Sequence, residues 1–251
     1  MKSSRFALVA ALGLLGACGC HTLPHATPPT TAAALTNTFF PDKLAAMDAA
    51  IEQAIVDGRC PGGVLWLERT GVTYVKAFGQ RAVVPVPEPM SVDTIFDFAS
   101  LTKVVATTPA MMLLIERGKV DLEAPAQRYL PEFTGHGKET ITIRQLLTHT
   151  SGLRPGIGSG GWQGQDGAIR MAAAERLQSP PGTALVYSDI NFFLLGAIVQ
   201  RVSGRGLDEF LAAEVYGPLK MTDTGFRPAA VAPGRIAPTT VLVLCQSSNE
   251  G

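Results

Sequence analysis

The sequence predicts an α+β fold, and three observations support this prediction. An amphipathic helix begins at residue 41, a β-hairpin follows it directly, and a long, mostly helical region extends from residue 91 to 219. The chain has 251 residues, of which 46% are hydrophobic and 17% charged. That length and composition suffice for one sizeable core or for two packed subdomains.

The N-terminus has the pattern of a targeting sequence. Lys2 and Arg5 precede an apolar run from Phe6 to Leu15, which is shorter than the roughly 20 residues that cross a bilayer but typical of a secretory signal peptide. We therefore assign residues 1–17 to a signal peptide. The protein is expected to be exported to the periplasm or cell envelope.

The residues around Cys18 resemble a bacterial lipobox, Leu15-Gly16-Ala17-Cys18, in which the cysteine receives a lipid. An ordinary cleavage after Ala17 is the alternative. Residues 18–40 are rich in threonine, proline and alanine, which favour a solvated tether over a packed core. This pattern predicts a domain attached to a membrane through an N-terminal lipid.

The next segment, residues 41–90, predicts a helix and a hairpin. Apolar residues recur at helical spacing from Leu44 to Ile55 and stop at Gly58, which predicts a helix with one buried face. Two β-like runs, 63–69 and 72–79, flank Thr70-Gly71, and glycine allows the positive φ of a tight turn.

After a proline-rich connection, residues 91–219 are patterned mainly as helices. Their spacing and their glycine and proline breaks predict a glycine-rich loop at 156–167 and helices at 101–115, 143–147 and 192–202. Residues 220–251 form a last segment of different character.

Composition excludes two classes of function. Twenty-one lysines and arginines balance 21 aspartates and glutamates, and the body contains no basic run, so nucleic-acid binding is not expected. Cys60 and Cys245 could form one disulfide, but the cysteines and the four histidines lack the spacing of a metal site. We expect no metal, no cofactor and a monomer.

A candidate nucleophile lies at the start of the 101–115 helix. Ser100 and Lys103 are three residues apart, so they share one helix face, and the helix dipole there favours a developing oxyanion. The neighbouring residues are apolar, and a poorly hydrated ammonium shifts the pKa of its neighbours. The alternative is a helix-capping serine followed by an exposed lysine.

A second candidate element is Tyr187-Ser188-Asp189, in a turn before the 192–202 helix. The phenol of a free tyrosine has a pKa of about 10 and is a poor base, whereas a phenolate beside an ammonium is stabilised and can accept a proton from a serine. The alternative is a turn tyrosine that packs against the helix, which is capped through Ser188 or Asp189.

Together these motifs resemble the serine β-lactamase-related family, which includes class C β-lactamases, family VIII carboxylesterases and D-Ala-D-Ala carboxypeptidases. The resemblance runs from about residue 41 to 239. It rests on Ser100-Leu101-Thr102-Lys103 and Tyr187-Ser188-Asp189, and on the stretch Leu146-Leu147-Thr148-His149-Thr150-Ser151-Gly152-Leu153. It implies an antiparallel sheet flanked by helices, with a mostly helical domain.

The resemblance also implies the roles of the site residues. Ser100 would be the acylated nucleophile, Lys103 the activating cation and Tyr187 the general base. Asp189 and Trp162 would contact the substrate, the latter from the glycine-rich loop, and His149 would be structural. The implied partner is a small ester, a β-lactam or a peptidoglycan-like peptide.

The sequence departs from the family pattern at three points. Asp189 replaces an asparagine, and a carboxylate cannot donate a hydrogen bond to a substrate carbonyl, which favours an esterase or peptidase-like relative. Pro109 lies inside the predicted 101–115 helix, where it should cost about 3 kcal/mol unless neighbours compensate. After Thr239 the third family motif, which supplies an oxyanion donor, is not found.

The third departure leads us to expect a truncated member with an incomplete sheet. Two functional hypotheses follow. The first is a serine hydrolase that forms an acyl-enzyme on esters or amides, and the second is a non-catalytic protein that binds penicillins or peptides.

Overall fold

The computed structural model of the chain describes residues 31–158, 160–227 and 233–239. Within these ranges the α-helices are α1 (Ala32–Thr38), α2 (Pro41–Val56), α3 (Thr108–Glu116), α4 (Ile143–Leu147), α5 (Gly164–Ala174), α6 (Asp189–Ser203) and α7 (Leu207–Leu211). The strands are β1 (Gly62–Arg69), β2 (Val72–Ala82) and β3 (Glu88–Pro89). Short 3-10 turns lie at Ala99–Leu101, Ala126–Arg128, Lys138–Thr140 and Pro233–Arg235, and π-helical turns at Lys103–Thr107 and Ala212–Tyr216. The predicted signal peptide, Cys18 and Cys245 lie outside the described residues.

The strands form an antiparallel sheet in the order β1-β2-β3. The predicted hairpin is confirmed, because Arg69 pairs with Val72 across a two-residue turn. Thr70 and Gly71 both have positive φ, 51° and 79°, as the favoured two-residue hairpin turn requires. Together with the helical second region, this sheet confirms the α+β class.

The chain divides into two compact units, with the boundary after Gly79. The predicted boundary at residue 90 stays a prediction. Strand β2 continues to Ala82 and pairs through its last residues with β3.

In the first unit, α2 is confirmed and contacts the hairpin through a polar group. Asp48 accepts hydrogen bonds from the Tyr74 hydroxyl and the Lys76 ammonium, each at 2.7 Å. The predicted buried face is only half-buried, and Met47 is 39% exposed. Gly58, just beyond the helix, has a φ of 69°, which glycine adopts without strain.

The last part of the predicted tether is helical. Thr31 caps α1, because its Oγ1 accepts a hydrogen bond from the backbone N–H of Ala34 at 3.1 Å. The three alanines that follow Thr31 have high helix propensity. The end of the predicted 18–40 tether is therefore a short helix without buried residues, Ala32–Thr38.

In the second unit, α6 is the central helix, and it packs against α3, α4, α5 and α7. Its buried residues are Ile190, Asn191, Leu194, Leu195, Ala197, Ile198 and Val199. The helix begins three residues before the predicted start at 192 and ends before Gly204, whose φ of 71° terminates it. This early start places Asp189 in its first turn.

The helix that carries Ser100 has three parts: a 3-10 turn, a π-helical turn and α3. Pro109 is in the first turn of α3, where proline is tolerated. In an α-helix the N–H at position 109 would donate to the carbonyl of Val105, and proline has none. The Tyr216 hydroxyl donates to that carbonyl at 3.1 Å instead. The Tyr216 hydroxyl thus replaces the hydrogen bond to the Val105 carbonyl that the proline cannot make.

By length and composition, residues 99–116 could also cross a membrane. The core helix of a soluble domain passes the same test. Ala106, Ala110, Met111 and Leu114 pack into the hydrophobic core of the second unit. We therefore describe the segment as a core helix.

Residues near the end of the described chain join the start of the second unit. Ile236 forms a parallel bridge with Ile95. Arg235 forms ion pairs with Asp93 at 3.0 Å and with Asp223 at 2.7 Å. These contacts fix the segment that precedes Phe98. Residues 99–103, which carry Ser100 and Lys103, follow directly and are called the nucleophile turn below.

Candidate active site

The nucleophile turn brings Ser100 and Lys103 together. Lys103 Nζ donates a hydrogen bond to Ser100 Oγ at 3.2 Å. Ala99 has a φ of 44°, which is unusual for a residue with a side chain, and its N–H donates to Asp97 Oδ1 at 2.8 Å. Backbone strain of this kind is concentrated at functional sites. The sequence analysis did not identify Ala99 or Asp97, because neither belongs to a chemical motif.

Tyr187 completes the group. Lys103 Nζ lies 4.8 Å from the centroid of the Tyr187 ring. Hydrogen bonding to Lys103, and then to Ser100, lowers the pKa of the Tyr187 phenol below its ordinary value. The structure thus brings together the three residues that the sequence analysis selected as catalytic.

Lys103 stays protonated at this position. Burial by itself lowers the pKa of the Lys103 ammonium, but hydrogen bonds to Asp189 and Tyr187 outweigh burial and raise that pKa. The Lys103 side chain is only 14% exposed. A fixed positive charge therefore faces both the hydroxyl and the phenol, and it stabilises their deprotonated forms.

Asp189 is the counter-ion of Lys103. Its Oδ1 lies 2.7 Å from Lys103 Nζ. Asp189 was predicted to contact the substrate, and its ion pair with Lys103 was not predicted. The carboxylate is 49% exposed and also lines the cavity described below, so it can contact a substrate while it neutralises the lysine.

A buried hydrogen-bond network holds the Tyr187 turn in place. Ser188 donates from its N–H to His149 Nδ1 at 3.0 Å and from its hydroxyl to the Arg154 carbonyl at 2.6 Å. Ser151 Oγ donates to Asn191 Oδ1 at 2.7 Å. Both Ser188 and Asn191 are fully buried. The 146–153 stretch, whose sequence resembles the family, and Arg154 directly after it therefore position the tyrosine.

His149 lies beside the phenol but acts as an acceptor within this network. Its ring is 4.5 Å from the Tyr187 ring, centroid to centroid. Burial, and then the charge of Lys103, lowers the pKa of His149 below its ordinary value. A neutral His149 can accept the Ser188 N–H through Nδ1, and the structural role that the family resemblance implies for it stays a prediction.

A cavity of about 610 Å³ opens beside Ser100 and has the size of a small-molecule site. Trp162, the predicted rim residue, lies in its wall, and the Trp162 indole N–H donates to the Gly158 carbonyl at 3.0 Å. The predicted glycine-rich loop is shorter than expected, because α5 begins at Gly164. The lining residues are Ala99, Ser100, Thr102, Lys103, Thr107, Trp162, Gly164, Gln165, Ala168, Ile169, Asp189, Phe192, Phe193, Gly196 and Leu207.

Two other features lie apart from this site. A cavity of about 720 Å³ is lined by residues 92–98 and 223–227, among others, and by none of the three candidate catalytic side chains. Within the described ranges, no group of three or more histidine, cysteine, aspartate or glutamate side chains is placed to hold a metal ion.

Comparison with known proteins identifies the family. The profile of the beta-lactamase family matches residues 47–241, and this chain belongs to that family. Esterase EstB of Burkholderia gladioli is 36% identical over 221 residues, covering 78% of this chain and 56% of the relative. The N-acetylmuramyl-L-alanine amidase of Bacillus subtilis (strain 168) is 33% identical over 214 residues, covering 77% of this chain and 48% of the relative.

A solved structure shows the same fold. The structure of EstCE1, described as a hydrolase with promiscuous acyltransferase activity, matches with a TM-score of 0.67 at 28% identity. The match covers 79% of this chain and 58% of that one. The chain spans about half the length of the curated relatives it matches.

Proposed function

We propose that the protein is a serine hydrolase that forms an acyl-enzyme on an ester or amide. The observation that carries the proposal is the convergence of Ser100, Lys103 and Tyr187. The ammonium of Lys103 contacts the hydroxyl at 3.2 Å and lies 4.8 Å from the phenol ring. Family membership supports the same chemistry.

Acylation begins with the Tyr187 phenolate. It accepts the proton of the Ser100 hydroxyl while Ser100 Oγ attacks the substrate carbonyl carbon, and the negative charge moves to the carbonyl oxygen. The Ser100 N–H, near the start of its helix, is a candidate donor to that oxyanion. When the intermediate collapses, the carbon–oxygen or carbon–nitrogen bond breaks, and the Tyr187 hydroxyl returns its proton to the leaving group.

Deacylation repeats these steps with water. The Tyr187 phenolate accepts a proton from a water molecule that attacks the Ser100 ester, and the phenol then returns the proton to Ser100 Oγ. Lys103 remains protonated throughout, and its hydrogen bond and charge lower the pKa of the Tyr187 phenol, which favours the phenolate. The net reaction adds one water across the scissile bond.

An ester is the favoured substrate class. Asp189 accepts hydrogen bonds and is paired with Lys103 at 2.7 Å, so this position lacks the amide donor of the asparagine motif. Two of the similar proteins are an esterase and a hydrolase with acyltransferase activity. We therefore place carboxylic esters ahead of β-lactams and peptides.

Hydrolysis of p-nitrophenyl butyrate and nitrocefin by the full chain tests the proposal, with Ser100→Ala as the control. We expect ester turnover and fluorophosphonate labelling, both abolished in the variant. Labelling at Ser100 without turnover would instead support the second candidate, a binding protein without catalysis. If Ser100 were not labelled and no ester were hydrolysed, the proposal would be wrong.

We further propose that the protein is exported and attached to the cell envelope through a lipid on Cys18. The support is the signal-peptide and lipobox patterns of the first residues. Incorporation of an azide-tagged fatty acid into the wild-type protein, and its loss in Cys18→Ala, is the expected result. Equal incorporation in both proteins would contradict lipidation at this cysteine.

A further inference from the structure

We propose that the cavity beside Ser100 is a binding pocket for an uncharged, apolar acyl chain of medium length. The inference rests on the proposed function, since it names the acyl group that Ser100 would receive. The preferred substrates would be neutral esters of fatty acids with about eight carbons, and substrates with a carboxylate on the acyl group would be disfavoured.

The apolar wall is built by helix faces that meet at the nucleophile. On α6, Asp189, Phe192, Phe193 and Gly196 line the cavity, and their spacing of three, four and seven residues places them on one face. Ala168 and Ile169 contribute from α5, Leu207 from the start of α7, and Trp162 from the preceding loop. An acyl group on Ser100 would therefore contact mainly hydrocarbon and aromatic surface.

The charge of the lining opposes an anionic acyl group. Among the cavity-lining residues, Lys103 and Asp189 are the charged side chains, and they pair with each other at 2.7 Å. A carboxylate on the acyl chain would have to leave water without gaining an unpaired cation, which is unfavourable. A neutral chain has no such cost.

Gly196 and Leu207 line the same part of the cavity and lie next to each other. Gly196 lies two helical turns from Asp189, about 10 Å along the helix axis, which an extended chain of about eight carbons spans. A Cβ placed on Gly196 would lie 4.0 Å from Leu207 Cδ2. The missing side chain thus leaves space for the end of an acyl chain, and a larger residue would fill it.

The first experiment compares p-nitrophenyl butyrate, p-nitrophenyl octanoate and mono-p-nitrophenyl suberate, which ends in a carboxylate. We expect kcat/KM for octanoate to exceed that for butyrate roughly 10- to 100-fold, since each buried methylene contributes up to about fourfold. We expect suberate to react at least about tenfold more slowly than octanoate. Equal values for butyrate and octanoate, or a preference for suberate, would overturn the inference.

Variants test the location of the pocket. Gly196→Leu should lower kcat/KM for octanoate about tenfold and lower kcat/KM for butyrate by a clearly smaller factor, because the new side chain occupies the part of the pocket that the longer chain needs. Leu207→Ala should move the optimum to a longer chain. If both variants change butyrate and octanoate by the same factor, the acyl chain does not lie where we place it.

A binding measurement separates this inference from the proposed function. The Ser100→Ala variant does not hydrolyse the esters, so an ester that binds in the cavity should quench the fluorescence of Trp162. The double variant Ser100→Ala, Trp162→Phe is the control, because it lacks this fluorophore. Tighter binding of octanoate than of butyrate supports the pocket even if the wild-type protein does not turn over esters. Ester turnover without any chain-length or charge preference would refute the pocket and leave the proposed function intact.

Discussion

Replacing Tyr187 with phenylalanine removes the phenolic hydroxyl and keeps the aromatic ring. The centroid of the Tyr187 ring lies 4.5 Å from the centroid of the His149 ring and 4.8 Å from Lys103 Nζ. Neither of these ring contacts involves the hydroxyl. The change therefore isolates proton transfer from packing. Loss of a positioned general base lowers rates about 10²- to 10⁴-fold, so we expect kcat/KM for p-nitrophenyl butyrate to fall within that range.

Two readouts separate catalysis from structure. Steady-state hydrolysis and the rate of fluorophosphonate labelling at Ser100 should fall together, because both need the serine deprotonated. The thermal midpoint should stay close to that of the wild type, since the ring and the hydrogen-bond network at Ser188 remain. Tyr129→Phe is the matched control. Its hydroxyl accepts from the backbone N–H of Asp121 at 2.7 Å, and its loss should leave the rate unchanged.

A labelling rate within about threefold of the wild type in Tyr187→Phe would refute the assignment of the base. An equal loss in the Tyr129→Phe control would show that the effect is structural.

Three further predictions concern charge and packing. Hydrogen bonding to Lys103 lowers the pKa of Tyr187, and the negative charge of Asp189 opposes that lowering, so Asp189→Asn should move the acidic limb of the pH–rate profile of ester hydrolysis to lower pH. Burial lowers the pKa of Lys138, so the wild type should gain stability as the pH rises from that lowered value to about 10.4. In Lys138→Met, chemical denaturation across this window should show no such gain. Gly152→Ala would place a Cβ 2.1 Å from a carbonyl oxygen and should lower the unfolding free energy by about 2 kcal/mol or more, whereas Gly118→Ala, with open space at its Cβ, should cost less. Equal losses in the two alanine variants would contradict the packing argument.

Much of the fold could be predicted because its signals are local. Thr70-Gly71 specifies the hairpin turn, and Gly204 marks the end of α6. Ser100 and Lys103 could be paired because a separation of three residues on a helix fixes their distance. Tyr187 could be added to them only through the resemblance to a family, since nothing local connects residues so far apart in the chain.

The contacts that sequence reasoning missed depend on tertiary packing. Asp189 was predicted to contact substrate, and its pairing with Lys103 follows from the early start of α6, which the helical spacing alone did not define. The hydroxyl of Tyr216 compensates Pro109 from more than one hundred residues away. The hydrogen bonds by which His149 and Arg154 hold Ser188 could not be predicted either, because they join residues more than thirty positions apart in the chain.

The central claim is that the positive charge of Lys103 makes the Tyr187 phenol acidic enough to serve as a base. Ultraviolet difference titration measures the ionisation of the Tyr187 phenol directly. The chain has four tyrosines, and the pKa values of two of the others are raised, that of Tyr74 by its hydrogen bond to Asp48 and that of Tyr216 by burial, so their signals lie at higher pH. We predict that one phenol ionises clearly below a pH of about 10, that Tyr187→Phe removes this transition, and that Lys103→Met moves it upward. A Tyr187 transition at or above the ordinary tyrosine value would contradict the account.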